Sequence, residues 1–281
     1  MSGGSVDRQG VALATEGLGF SYPDGTRALT DVFVSIRPGE RVAIVGQNGS
    51  GKSTLVRQFN GLLRPTDGRV LVGGHDVARR HVADLAREVG ISFQNPDRQI
   101  FAARVRAEVG FGARNVGLRG NDLDRAVEAA LDSVGLLAEA ESNPYDLGFS
   151  QRKLLALASI LAMRTPALIL DEPTTGQDRH GVERVVAIVR SVSTVQRTVV
   201  AISHDMNFVA EAFERVIVMR AGRVVLDAPI LEAFDQASWP VLESTYLEPP
   251  FAARLGARGG LGSTPTNDSF VAALAASRPR P

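Results

Sequence analysis

The chain has 281 residues, 44% of them apolar and 22% charged, which suits one large globular domain or one domain with a small appendage. Its 31 basic and 31 acidic residues balance, so no net charge points to nucleic acid and no dense basic run marks an anionic-membrane anchor. Cysteine is absent, which excludes disulfides and thiolate metal sites and fits a reducing compartment, and no apolar run nears the length that spans a bilayer.

Residues 1–10, MSGGSVDRQG, are polar without an apolar signal core and predict a disordered tail. Val11 to Ile36 alternates as two strands around a Pro23-Asp24-Gly25 turn. Arg41–Gly46, RVAIVG, is a short buried strand entering a glycine-rich loop, and Lys52–Leu62 follows as a helix. Strands are predicted at Arg69–Gly74, after the turn residues Pro65, Asp67 and Gly68, and at Val89–Phe93. Arg104 to about Ala140 carries two helices divided near Gly117–Asn121, and Ser150–Met163 a third.

Strands and helices then alternate. Ala167–Leu170 and Thr198–Ser203 read as strands, with helices at Asp178–Val192 and Asp205–Phe213. Strands at Arg215–Met219 and Val224–Leu226 follow. This order predicts an α/β fold with a mostly parallel core sheet, an antiparallel β subdomain and a helical subdomain at about 97–165. From Pro229 the composition changes, and 229–281 reads as a small C-terminal extension of short helical pieces. No internal repeat is present.

GQNGSGKST, Gly46–Thr54, fits G-x-x-x-x-G-K-[ST] between a predicted strand and a predicted helix. Backbone N–H groups can wrap phosphate oxygens only where side chains are absent, as at Gly46, Gly49 and Gly51. Lys52 can reach the terminal phosphates, Ser53 can bind Mg²⁺, and the helix directs its positive end at the anion. The loop residues Gly46, Asn48, Gly49, Ser50, Gly51, Lys52, Ser53 and Thr54 are therefore candidate ATP contacts. ALILDEPTTGQD carries Asp171 and Glu172 at the end of an apolar strand. There Asp171 would sit near Mg²⁺, and Glu172 could activate a water. TVVAISHD ends another strand at His204. His75, His81 and His180 lack metal-ligand spacing and read as surface residues.

The order of these parts resembles the ATP-binding cassette ATPases over about residues 11–230, with the cassette domain at 11–228. The resemblance implies a P-loop nucleoside triphosphatase cassette and an ATP-hydrolysing enzyme that uses Mg²⁺. It implies that Tyr22 stacks on adenine and that Gln94 senses Mg²⁺ and the attacking water. It implies that Asp178 belongs to the loop crossing to a second subunit, that His204 contacts the γ-phosphate, and that Glu172 is the catalytic base. SFQNPDRQIFAARVRAEVGFGARNVGL is similar to the energy-coupling factor ATPases of vitamin and metal-ion importers. That narrower likeness implies a transmembrane coupling subunit, a substrate-capture membrane protein and a second cassette of like or unlike sequence. The chain would then work at the cytoplasmic face of the membrane, with no nucleic acid involved.

One motif departs from the family. Where a Leu-Ser-Gly-Gly-Gln signature is expected, this chain has Leu147, Gly148, Phe149, Ser150 and Gln151. The usual spacing from Gln151 to Asp171 fixes the alignment. Gly148, Ser150 and Gln151 are the candidate contacts to an ATP held by the partner cassette. Ser150 could supply a hydroxyl and cap the helix; Gly148 can adopt a left-handed backbone and Phe149 cannot easily do so. Either the loop is remodelled and works, or this half-site is weak and a different cassette supplies the better signature. The rival is a non-transport cassette ATPase acting on nucleic acid or ribosomes, which would carry a coiled-coil insertion, paired cassettes or a basic surface. A kinase or GTPase is disfavoured by Asp171-Glu172-Pro173 with Ser203-His204, and by the lack of Asn-Lys-x-Asp.

Overall fold

A computed structural model describes residues 10–194 and 197–277, so the expected N-terminal tail lies outside the described residues except for its last position. The first half contains β1 (Leu13–Ser21), β2 (Arg27–Ile36), β3 (Arg41–Val45), α1 (Lys52–Phe59), β4 (Asp67–Val72), β5 (His75–Asp76), α2 (Val82–Leu85) and β6 (Val89–Ser92). Helices α3 (Val105–Asn115), α4 (Gly120–Val134) and α5 (Phe149–Ala162) follow. Next come β7 (Ala167–Asp171), α6 (Arg179–Thr194), β8 (Thr198–Ile202), α7 (Met206–Ala212), β9 (Arg215–Arg220) and β10 (Arg223–Pro229). The chain closes with α8 (Ile230–Ala233), α9 (Trp239–Glu243), α10 (Phe251–Arg258) and α11 (Asn267–Ser277).

Two sheets form. One is four-stranded and antiparallel, in the order β2-β1-β4-β5. The other is six-stranded, in the order β10-β9-β3-β8-β7-β6; it is parallel except for β10 at its edge. The parallel strands read as unbroken apolar runs because both faces are covered. Val42 and Ile44 of β3 face a core shared with the antiparallel sheet and α1, where Leu55 and Phe59 are fully buried. Ala43 and Val45, on alternate positions, face the other core, built with α3 to α7. Burying a side chain such as Phe59 contributes roughly 2–3 kcal/mol.

Some boundaries differ from expectation. Helix α1 stops at Phe59 rather than Leu62, because Asn60 leaves helical geometry and Gly61 turns left-handed at φ 73°. The short β5 and α2 gave no sequence signal. The C-terminal stretch sends Ile230, Phe234, Leu242, Leu247 and Ala253 into the larger core. Among the described residues no helix is long and apolar enough to cross a membrane.

Candidate nucleotide site

Open α/β sheets bind ligands outside the carboxyl ends of their parallel strands. Here β3 runs into the glycine loop, β6 into Gln94, β7 into Asp171-Glu172 and β8 into His204. Tyr22, Asn48, Gly49, Ser50, Gly51, Lys52, Ser53, Thr54, Gln94, Asp171 and Glu172 line one cleft of about 420 Å³. Gly46 opens the loop directly after β3 but does not line the cleft.

The loop is held by backbone crowding as well as by turn chemistry. Gly46 has φ 144°, and a Cβ there would fall 2.2 Å from the Met219 carbonyl oxygen. Gly51 has φ 100°, and its Cβ would meet the Ala28 carbonyl oxygen at 2.7 Å. Gly222 N–H donates to the Ser50 carbonyl at 3.0 Å, so the β9–β10 hairpin supports the loop from behind. The Ser50 hydroxyl is buried and, among the described residues, has no hydrogen-bond partner. Lys52 donates to its own loop carbonyls, Gly46 at 2.6 Å and Gln47 at 2.9 Å. Burial pulls its ammonium below the usual lysine range, opposed by the charges of Glu172 and Asp171. Loop amides, a lysine and a helix start together form a cradle suited to a polyphosphate.

Asp171 is buried, with the Ser53 hydroxyl beside it. Burial pushes its carboxyl above the ordinary range, and Glu172 adds to the rise; the Ser53 hydroxyl and the charges of Arg57 and Lys52 oppose it. A hydroxyl and a carboxylate side by side fit a hard divalent cation that draws its other ligands from phosphate and water. Glu172 has a left-handed backbone, φ 53°, unusual outside glycine and frequent at functional sites. Its Oε2 lies 2.8 Å from His204 Nδ1 and accepts from the Thr175 hydroxyl at 3.3 Å.

Tyr22 packs edge-on against Phe20, with ring centroids 4.9 Å apart, and its hydroxyl hydrogen-bonds Thr54 Oγ1 at 2.9 Å. Thr26, Arg27 and Ala28 also line the cleft, although no motif marks them. Arg27 pairs with Asp67 at 2.6 Å, which sets a cation at the mouth of an anion cradle.

The remaining candidates lie outside this cleft. Gly148 has φ −64° in extended geometry, and Phe149 is the first residue of α5. Gly148 therefore does not use the left-handed backbone open to glycine, and the helix begins at Phe149, one residue earlier than expected. Ser150 does not cap the helix; it sits inside the first turn, and its hydroxyl donates to Gln177 Oε1 at 2.7 Å. Gln151 accepts from the Gly148 N–H at 3.1 Å. Asp178 accepts from the Gly181 N–H at 2.8 Å at the start of α6. His75, His81 and His180 are exposed.

The family model for ABC transporters matches residues 29–175. The chain belongs to the ABC transporter ATP-binding family. It is 38% identical over 222 residues to the energy-coupling factor transporter ATP-binding protein EcfA of Methanothermobacter thermautotrophicus, covering 78% of this chain and 71% of that protein. It is similar to the solved structure of cbiO1 from Clostridium perfringens, part of the ABC transporter complex cbiONQ. That likeness has a TM-score of 0.72 at 36% identity and covers 86% of this chain and 97% of that one. A bacterial ABC transporter cassette solved as a dimer gives a TM-score of 0.72 at 26% identity, over 78% of this chain and 98% of that one. Curated relatives in Methanosarcina acetivorans and Methanosarcina mazei, each 41% identical, are longer, and this chain spans 39% of their length.

Proposed function

We propose that this chain is the ATP-hydrolysing subunit of a membrane importer of the energy-coupling factor type, carrying a vitamin or a transition-metal ion. The observation that carries the hydrolytic part is the convergence of Lys52, Ser53, Gln94, Asp171 and Glu172 in one cleft. In this reading the loop from Gly46 to Thr54 binds the phosphates of ATP, Tyr22 meets the adenine, and Ser53, Asp171 and Gln94 hold Mg²⁺. Mg²⁺ supplies charge neutralisation at the phosphates when bound. Glu172 accepts a proton from the attacking water, and His204 orients the carboxylate while its other ring nitrogen serves the γ-phosphate.

Two cassettes pair head-to-tail in this reading, each offering Gly148, Ser150, Gln151 and Asp178 to the ATP of the other. The start of α5 favours an anion through its free N–H groups. The importer assignment is supported by the likeness to EcfA and cbiO1. It is also supported by a groove of about 540 Å³ beside the Gln94 loop. Phe93, Phe101, Phe111 and Met163 line it, and Phe101 and Phe111 are exposed and edge-on to each other at 4.7 Å. An exposed apolar groove of this size suits a short segment of a transmembrane partner at the cytoplasmic face. Purification from membranes tests the assignment. The chain should co-purify with an integral membrane protein that alters its ATP turnover; a chain that binds none and turns over ATP alone at full rate would refute it.

A further inference from the structure

Helix α5 grips the loop that follows β7 at three points. Ser150 and Gln177 bond reciprocally: the Ser150 hydroxyl donates to Gln177 Oε1 at 2.7 Å, and Gln177 Nε2 donates to the Ser150 carbonyl at 3.0 Å. Phe149 lies against Gly176, where a Cβ would fall 2.8 Å from the ring. One turn further along, Lys153 Nζ donates to the Glu172 carbonyl at 2.5 Å and to the Thr175 carbonyl at 3.0 Å.

Lys153 is buried, at 7% exposure. A buried ammonium is costly unless it is hydrogen-bonded and faces negative charge, and a Met or Leu would fill this space without that cost. Lys153 meets both conditions through the two carbonyls and the nearby carboxylates of Glu172 and Asp171. Burial pulls its pKa down and those carboxylates push it up. The carbonyl it holds belongs to the one residue of the acidic pair with a left-handed backbone.

We infer that Lys153 is a positioning residue for Glu172. It clamps the left-handed turn that aims the carboxylate, and it ties that turn to the first turns of α5. This inference rests on the proposed hydrolytic role of Glu172. Because Phe149, Ser150 and Lys153 share α5, a displacement at the start of that helix is passed to the glutamate of the same chain.

Lys153→Met and Lys153→Arg in the full chain test it by two readouts, steady-state ATP turnover and amide hydrogen exchange of residues 172–177. Lys153→Met should lower kcat on the order of 100-fold with KM changed less than about threefold, the mark of a misplaced group. It should also speed exchange in 172–177 while leaving β3 and β8 protected. Lys153→Arg, which keeps a buried cation with several donors, should restore the protection and most of kcat. Unchanged exchange and kcat in Lys153→Met, or equal losses in Lys153→Arg and Lys153→Met, would overturn the inference. If Lys153→Met does not fold, Lys153→Gln, with one donor group in place of the ammonium, carries the same test. Wild-type protein without ATP turnover would count against the proposed function, and the exchange measurement would still decide the role of Lys153.

Discussion

His204 Nδ1 lies 2.8 Å from Glu172 Oε2, joining the ends of the neighbouring parallel strands β8 and β7. Glu172 is buried and His204 is exposed, so the pair reaches from the protein interior to solvent. If the imidazole orients the carboxylate, His204→Ala should lower kcat for ATP hydrolysis on the order of 10- to 100-fold. Affinity for ATP should fall by less, since one γ-phosphate contact among many is lost. Turnover measured across ATP concentrations checks this, and an unchanged kcat would contradict it.

Asp171 gives a prediction with a defined sign. Burial raises its folded pKa, so the folded protein carries the ionised carboxylate at a cost that is full above that pKa. The cost disappears as pH falls below the ordinary value of 3.8. Asp171→Asn should therefore be more stable than wild type at neutral pH while losing Mg²⁺-dependent turnover. Denaturant unfolding at several pH values should show the stability gap narrowing toward acid. A gap that is absent at neutral pH would show that burial of the Asp171 carboxylate carries no cost.

Glu40 has the opposite sign. It accepts from the Arg37 N–H at 2.9 Å and pairs with Arg215 at 3.1 Å, and Arg215 forks onto Asp227 at 2.5 and 2.6 Å. Burial alone would raise the Glu40 carboxyl, but these donors outweigh it and hold the carboxyl below its ordinary range. Its stabilisation is present above 4.5 and is lost as pH falls through the folded value. Glu40→Gln should cost about 1–2 kcal/mol at neutral pH, with the difference from wild type shrinking in acid. Urea unfolding at neutral and acidic pH measures both.

Ser150 separates the two readings of the altered signature. The single Ser150 hydroxyl proton goes to Gln177 Oε1 here; if it turns to the partner's ATP in the assembled complex, Ser150→Ala should lower turnover about tenfold, the equivalent of one hydrogen bond. An unchanged rate would show that the hydroxyl is not used, and would favour a second cassette of different sequence.

The parallel core was legible because strands covered on both faces become apolar runs, as in RVAIV and ALILD. The phosphate loop was legible because its glycines stand at fixed spacing between a strand and a helix. The backbone at Gly148 was not, since it depends on where α5 begins, and that start is set by Gln151 bonding back to the Gly148 N–H. Lys153 and Gln177 carried no signal either. Their roles arise from α5 packing against a loop about twenty residues later, and a lysine in a helix reads as a surface residue until the neighbour is known.

Substitution of Glu172 by glutamine isolates its role as the base. The amide keeps the volume and the contact with His204 but cannot accept a proton, and general-base catalysis contributes roughly 10²- to 10⁴-fold. In a single purified preparation, ATP binding and ATP turnover should be measured side by side. Glu172→Gln should bind ATP with wild-type affinity and turn it over at least about 100-fold more slowly. Wild-type turnover in this variant would contradict that role.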